Sequence, residues 1–576
     1  MSEFGGMLEK EVLDLKTRVW IKGINFSDCK DIIFEQDDIT IFVGPNNAGK
    51  SAALKDISNL SRNIKIEGKV AKKITIDKEG NEEDFITDLK QISRTVMSNN
   101  PLPTYSGFGF SVYESTAKSN WNNAIKNGLS DLSPVFTYLL NTEARLSTAN
   151  PAPNIALTRD SLSHPIHFLQ VNDEIEKQFS SYFRQSFNLD LIVHRNAGNQ
   201  VPLHIGEKPI PDSGEDRVSI NYLKKLEALP LLHEQGDGMR SFVGVLLNSF
   251  ISSHSVLLVD EPEAFLHPPQ ARLLGKMLAK DLPRGKQLFL ATHSGDFLRG
   301  LLDANSQKLK IIRIQRNGDI NNVSLLNQED IDALWNDPLL RYSNVLEGLF
   351  HSKVIITESD ADCRFYSAIL DTITDGNSEI SNDILFIHCG GKHRMPSVIK
   401  ALRKLNVPVY VITDFDVLND LNPFKYIIDE LGGDWSEVDS DWNLVKREIE
   451  SKKPELSSED VKKEIYNILE RITDINFPKQ SGQEIQKILK KSSAWSYAKL
   501  VGKSFVPSGD ATRAIERIFK NLRRWRFFVV EVGELESLAR SIGNHGPKWV
   551  NEVLQKDLKN DPELEIARKF VRQIIS

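Results

Sequence analysis

Gly44-Pro45-Asn46-Asn47-Ala48-Gly49-Lys50-Ser51 has the residue types and spacing of a phosphate-binding loop. Its glycines let backbone amides turn inward toward phosphate oxygens, and a following helix adds partial positive charge at its N-terminus. Gly44, Asn46, Asn47 and Gly49 would line the phosphates, Lys50 would reach the β- and γ-phosphates, and the Ser51 hydroxyl would ligate Mg²⁺. Asp260 and Glu261 follow the apolar run Val256–Val259. There Asp260 would sit beside the Mg²⁺, and Glu261 would polarise an attacking water as general base. Together these residues predict an ATP site. A second constellation holds only carboxylates: Glu358, Asp362, Asp414 and Asp416. Several carboxylates in one crevice repel unless cations neutralise them, and Mg²⁺ or Mn²⁺ suits an all-oxygen ligand set. Two such ions would activate water and stabilise the leaving oxygen of a phosphodiester.

Each constellation requires a strand that ends where the chemistry begins. Ile39–Val43 reads as a buried strand entering the loop and Ser51–Leu60 as the helix leaving it. Val19–Phe26 and Asp31–Phe34 read as short strands before them. Ser255–Val259 is an apolar strand, Pro269–Lys280 a helix and Gln287–Ala291 another strand. Lys310–Ile314 and Asn322–Leu326 flank Asn317-Gly318, a dipeptide suited to a hairpin turn. A second α/β series runs through Lys353–Thr357, Ile384–His388, Val409–Thr413 and Phe527–Val532. Glu358 follows the first of these strands, and Asp414 and Asp416 follow the third with their side chains on one side. In open parallel sheets the functional crevice lies at the carboxyl ends of strands, where these groups converge.

Between about 60 and 230, with loop-rich stretches at Asn99–Gly109 and Ala149–Ser163, the pattern reads as an insertion of helices and loops serving dimerisation or regulation. Residues from about 420 to 500 are rich in lysine and glutamate and read as a helical insertion. The expected division is 1–345 and 346–576.

The chain's 576 residues exceed a single core and predict several domains. A net charge of −7 argues against a generally basic nucleic-acid coat while leaving room for a local basic channel. Cys29, Cys363 and Cys389 form no CxxC pair, which fits a reducing cytoplasm and no structural zinc. No run approaches the ~18 apolar residues of a membrane helix.

Further motifs carry a family resemblance. Glu263-Ala-Phe-Leu-His267-Pro268 resembles a stretch of the ABC- and SMC-type ATPases, and Leu288–Ser294 matches the strand that ends in their γ-phosphate-sensing histidine, here His293. His233–Ser241 resembles a degenerate signature motif, in which Gly236 and Gly238 open a helix that one subunit offers to ATP bound on another. Asp237 stands where many relatives carry serine, and an extra carboxylate there would repel a γ-phosphate. The carboxylate set, with Cys389-Gly390-Gly391-Lys392 between Glu358 and Asp414-Phe415-Asp416, resembles a TOPRIM domain, although Ser359 replaces the glycine usual after the glutamate.

An ABC-type ATPase domain with a helical insertion, followed by a Rossmann-like TOPRIM domain with its own helical insertion, resembles the OLD (overcoming lysogenization defect) family. That family includes Gabija-type and retron-associated defence effectors. The resemblance implies late TOPRIM carboxylates, for which Glu534 and Glu536 are candidates, with Glu536 as a metal ligand, and a catalytic lysine, for which Lys548 is the candidate. It also implies an ATP-regulated DNA endonuclease or nickase in bacterial anti-phage defence. ATP, Mg²⁺ or Mn²⁺, a DNA substrate, a homodimer or larger homo-oligomer, and a second defence protein or retron nucleic acid are the expected cofactors and partners. The alternatives are a non-cleaving ATP-driven DNA clamp or sensor and a TOPRIM nuclease acting on RNA or tRNA. Arg523, Arg524 and Arg526 offer phosphate contacts or simply a basic helix end.

Overall fold

Arg18–Phe26 (β1) alternates between buried and part-exposed residues, whereas Ile39–Val43 (β2) is buried throughout. The difference places them in different sheets, because a strand without polar alternation must be covered on both faces. β1 pairs antiparallel with Asp31–Ile33 and with Ala71–Glu79 (β3). β2 lies inside a six-stranded sheet with Thr137–Leu140 (β4), Val256–Asp260 (β5), Gln287–Ala291 (β6), Leu309–Asn317 (β7) and Ile320–Leu325 (β8). Their order is β8-β7-β2-β6-β5-β4, parallel except for β8. β8 turns back antiparallel after Gly318, whose φ of +60° suits the hairpin. The computed structural model describes residues 15–97, 103–304, 306, 308–326, 328–336, 344–374, 383–452, 458–472, 477–490 and 494–576. It divides the chain into two units, 1–332 and 333–576.

Residues 60–230 depart from the expected helices and loops. They supply β3 to the small sheet and β4 to the edge of the main sheet, where Thr137 faces Val256. Thr-Tyr-Leu-Leu is too short for periodicity to separate strand from helix. Its pairing with β5, distant in sequence, decides the matter. Within the stretch expected as loop, Thr104–Gly107 pairs with Ser93–Val96 and Phe110–Tyr113. Residues 99–102 lie outside the described ones. Ala149–Ser163 is loop apart from the strand Ala152–Pro153.

Three helices carry the functional loops of the first unit. Lys50–Arg62 (α1) starts directly behind the phosphate-type loop, Thr142–Thr148 (α2) follows β4, and Asp237–Leu246 (α3) starts at the signature glycines. Gly44 has no alternative at its position. Its φ is +146°, and a Cβ there would lie 2.1 Å from the Ile314 carbonyl oxygen.

The second unit centres on a four-stranded parallel sheet of Lys353–Thr357 (β9), Ile384–His388 (β10), Val409–Thr413 (β11) and Phe527–Val529 (β12), in the order β10-β9-β11-β12. Asp360–Ile373 (α4) follows β9. Between β11 and β12 the described residues are helical, from Leu421–Leu431 to Ala494–Val501 (α5) and Asp510–Arg524 (α6). After β12, Pro547–Val553 (α7) seats a fully buried Trp549 against Phe365, and its indole Nε1 donates to the Ala539 carbonyl at 3.2 Å. No helix among the described residues is long and apolar enough to cross a membrane.

Candidate functional site

At the carboxyl ends of β2, β5 and β6 the first unit gathers the expected nucleotide residues. The left-handed φ values of Asn47 (+59°) and Gly49 (+101°) shape the loop. Lys50 Nζ donates to the Gly44 and Pro45 carbonyls at 2.8 and 2.9 Å, folding over the cradle its own loop makes. Ser51 Oγ donates to Asp260 Oδ1 at 2.8 Å. The two residues expected to share one Mg²⁺ are therefore in contact, and burial raises the Asp260 carboxyl above its ordinary pKa. Glu261 has a left-handed φ of +50°, and its carboxylate lies 3.3 Å from His293 Nδ1. Glu263 is buried behind them. It accepts from Thr292 Oγ1 at 2.7 Å and from the His293 amide at 3.2 Å, orienting the histidine segment. At the signature, Gly238 meets the Phe265 carbonyl, 2.7 Å from where a Cβ would stand. Gly236 and Asp237 are exposed at the helix start. Asp237 pairs with Arg240 at 3.0 Å, so its charge is countered within its own helix.

In the second unit, Glu358, Asp414 and Asp416 each present an oxygen within 4.8 Å of the others. Glu358 Oε1 accepts the Asp414 amide at 3.2 Å, and Asp414 Oδ1 accepts the Leu535 amide at 3.1 Å. Burial foremost, then the Asp416 charge, push Glu358 up to about 7. Burial and Glu358 hold Asp414 well above its ordinary value. Burial and mutual repulsion outweigh the lysines nearby, whose charges pull the other way. Asp416 Oδ1 is buried without a hydrogen-bond partner, an orphaned acceptor on a residue of the cluster. Asp362 stands outside the three. Its carboxylate accepts the Ser359 amide and hydroxyl at 2.7 and 2.9 Å, which caps α4. Glu536 joins Glu534 and His545 in a separate group, again within 4.8 Å. Lys548 is exposed on the first turn of α7, because its neighbour Trp549 fills the core and turns it outward.

Residues 39–299 match the family described as "AAA domain, putative AbiEii toxin, Type IV TA system". Residues 349–416 match "Overcoming lysogenization defect protein-like, TOPRIM domain". The chain carries an AAA-type ATPase domain and an OLD-like TOPRIM domain. It is 21% identical to endonuclease GajA of Bacillus cereus (strain HuB5-5) over 476 residues, which cover 73% of this chain and 65% of that protein. It is 22% identical to the Old nuclease of Escherichia phage P2 over 175 residues, 29% of each chain. The chain thus spans less than two thirds of the length of these relatives. An 88-residue match of 32% identity to the uncharacterized protein MJECL11 of Methanocaldococcus jannaschii covers 15% of this chain and 77% of that one. Among solved structures, an Smc head bound to the C-winged helix domain of ScpA aligns at 15% identity and a TM-score of 0.33, covering 55% of this chain and 99% of that one. The SMC head domain from Thermotoga maritima aligns at 12% identity and 0.28, covering 54% and 99%.

Two cations were missed by the sequence reading. In the ATPase domain Arg145, on α2, is fully buried. Its guanidinium donates to the Asp260 carbonyl, to the Glu261 carbonyl at 2.7 Å and to Thr142 Oγ1 at 3.2 Å. It thereby braces the left-handed backbone of Glu261. In the TOPRIM domain Lys499, on α5, places its ammonium 3.4 Å from Asp414, 3.8 Å from Asp416 and 3.9 Å from Glu534. No local motif announces either residue. Gly244 and Gly533 are the only signals, since a Cβ on them would lie 2.1 Å from the Arg145 carbonyl oxygen and 2.3 Å from that of Lys499. Lys392 of the Gly-Gly turn also reaches the cluster, meeting Asp416 Oδ2 at 3.3 Å and Asp420 at 2.9 Å. Arg523 and Arg524 are paired with Glu531 and Glu437 rather than left for a phosphate backbone.

Arg145→Met removes the donor from two carbonyls and is expected to destabilise the ATPase domain by about 1–3 kcal/mol, visible as a lower thermal midpoint. A second expectation follows from Glu358, whose pKa is raised from 4.5 to about 7 in the folded state. The folded protein keeps a proton that the unfolded chain releases, so stability present at low pH is lost as pH rises through about 7. Metal-free wild type should therefore lose thermal midpoint relative to Glu358→Gln across that window, and Mn²⁺ should restore it. Parallel profiles for the two proteins would contradict the assignment.

Proposed function

We propose that the chain is an ATP-regulated, divalent-metal-dependent DNA endonuclease or nickase of bacterial anti-phage defence, working in the cytoplasm as a homodimer or larger homo-oligomer. The observation that carries this reading is the meeting of Glu358, Asp414 and Asp416 within 4.8 Å. Hard oxygen donors with an orphaned acceptor at Asp416 fit Mg²⁺ or Mn²⁺. When bound, such an ion supplies a Lewis acid and an activated water for phosphodiester hydrolysis.

The chain's own residues orient that chemistry. Glu358 accepts the Asp414 amide, and Lys392 fixes Asp416 by donating to its carbonyl at 3.1 Å as well as to its carboxylate. Glu534, Glu536 and His545 offer a second donor group beside the first, and Lys548, exposed at a helix start, is assigned to the charged phosphate. In the ATPase domain Lys50, now on its loop carbonyls, would turn to the β- and γ-phosphates, and Ser51 and Asp260 would hold the nucleotide's Mg²⁺. Glu261 takes the proton of the attacking water, with His293 beside it at the γ-phosphate. The exposed helix start at Gly236–Gly238 serves nucleotide bound on a second copy, so that ATP controls association and, through it, access of DNA to the carboxylates. The relatives named endonuclease and nuclease support the class of reaction. Resemblance to Gabija-type and retron-associated effectors supports the defence role and a second protein or nucleic-acid component.

Supercoiled plasmid incubated with the full chain and Mn²⁺ should be nicked or linearised, and Glu358→Ala should lower the rate by about 100-fold or more. Plasmid left intact by wild type at every metal and nucleotide condition would overturn the nuclease reading, and cleavage of RNA alone would move the substrate class. In parallel, Lys50→Ala should weaken binding of a fluorescent ATP analogue by about tenfold or more. ATP hydrolysis at the wild-type rate in that variant would refute the assignment of the loop.

A further inference from the structure

Helix α5 reaches the carboxylates from the helical run between β11 and β12, apart from the strand ends that carry the acids themselves. Its docking is built into the backbone. Gly533, at φ +127°, allows the loop after β12 to touch the Lys499 carbonyl, and Gly502, at φ +63°, lets the end of the helix meet the Glu531 carbonyl. Ser537 Oγ donates to the Leu500 carbonyl at 2.9 Å, and the Lys503 amide donates to Glu531 at 2.7 Å. Lys499 is thereby aimed at Asp414 and Asp416 of the first acidic group and at Glu534 of the second.

The ammonium contacts are unlike those of an ordinary ion pair. All three distances, 3.4 to 3.9 Å, exceed the 2.7–2.9 Å of a charge-assisted hydrogen bond. The ammonium stands among the acids as a central charge rather than bonded to one of them. Lys392 differs. Its side chain is 12% exposed and anchored by Asp420 at 2.9 Å and by the Asp416 carbonyl, whereas Lys499 is 37% exposed on a flexible four-carbon stem.

We propose that Lys499 is a displaceable counter-ion of the TOPRIM site. Its ammonium holds Asp414, Asp416 and Glu534 together before a divalent ion arrives and is driven out toward solvent when the ion binds. The inference rests on the metal-site reading of those carboxylates. It goes beyond that reading in assigning the helical run a function, namely to set how readily the site charges with metal. A lysine on a long stem suits this role because the acids remain neutralised in both states, and only one side chain has to move.

The test uses the full chain without nucleotide. Amine acetylation followed by mass spectrometry should show Lys499 labelled about tenfold faster with saturating Mn²⁺ than without it, while Lys392 stays protected in both. In a titration that follows free Mn²⁺ by electron paramagnetic resonance, Lys499→Met should bind the ion about tenfold more tightly than wild type, because no internal cation competes. Lys499→Arg should bind close to wild type. Labelling of Lys499 that is unchanged or slowed by Mn²⁺, or weaker binding by Lys499→Met, would overturn the counter-ion role while leaving the metal site standing. If neither wild type nor Lys499→Met takes up Mn²⁺, the metal reading itself fails and this inference with it.

Discussion

Negative charge held at the carboxyl ends of parallel strands is the constraint around which both units are arranged. A parallel sheet brings several strand-end loops to one edge, and any polar chemistry placed there must be balanced locally because the strands behind are buried. In the ATPase domain the strand ends present a glycine-rich loop, a lysine and an aspartate that accepts from Ser51. In the TOPRIM domain the charge is the protein's own. Glu358, Asp414 and Asp416 are crowded within 4.8 Å, and burial makes their ionisation costly.

Positive groups from elsewhere answer both arrangements. Arg145 comes from α2 and closes on the carbonyls of Asp260 and Glu261, where the chain holds a left-handed turn that sets the Glu261 carboxylate beside His293. Lys392 and Lys499 come from the Gly-Gly turn and from α5. Coulomb attraction over 3 to 4 Å in a partly buried crevice is worth several times its value in open water. One lysine in position therefore alters the behaviour of a whole carboxylate group. The α5 helix, one of the least motif-like parts of the chain, belongs to the site as much as the strands do.

Much of this was legible in the residues alone. Ile39–Val43, Gln287–Ala291, Lys353–Thr357, Ile384–His388 and Val409–Thr413 are the strands expected, because five-residue apolar runs flanked by glycine, polar or acidic residues leave little choice. Thr137–Leu140 was not legible, since four residues carry no usable period and its partner strand lies far along the chain. Asp362 has the right type and neighbourhood for a ligand, yet its carboxylate is engaged by Ser359 three residues before it. Spacing alone does not reveal that capping contact.

The amino-acid order determined by itself the local chemistry: which loop turns its amides inward, which strands end in acids, and which glycines have no substitute. Those properties depend on neighbours within a few residues, where backbone geometry and residue type act directly. Tertiary structure alone decided which cations meet which anions. Arg145 lies more than a hundred residues from Asp260, and Lys499 some eighty from Asp416, and only the packing of α2 and α5 sets the few ångströms on which electrostatic interaction depends.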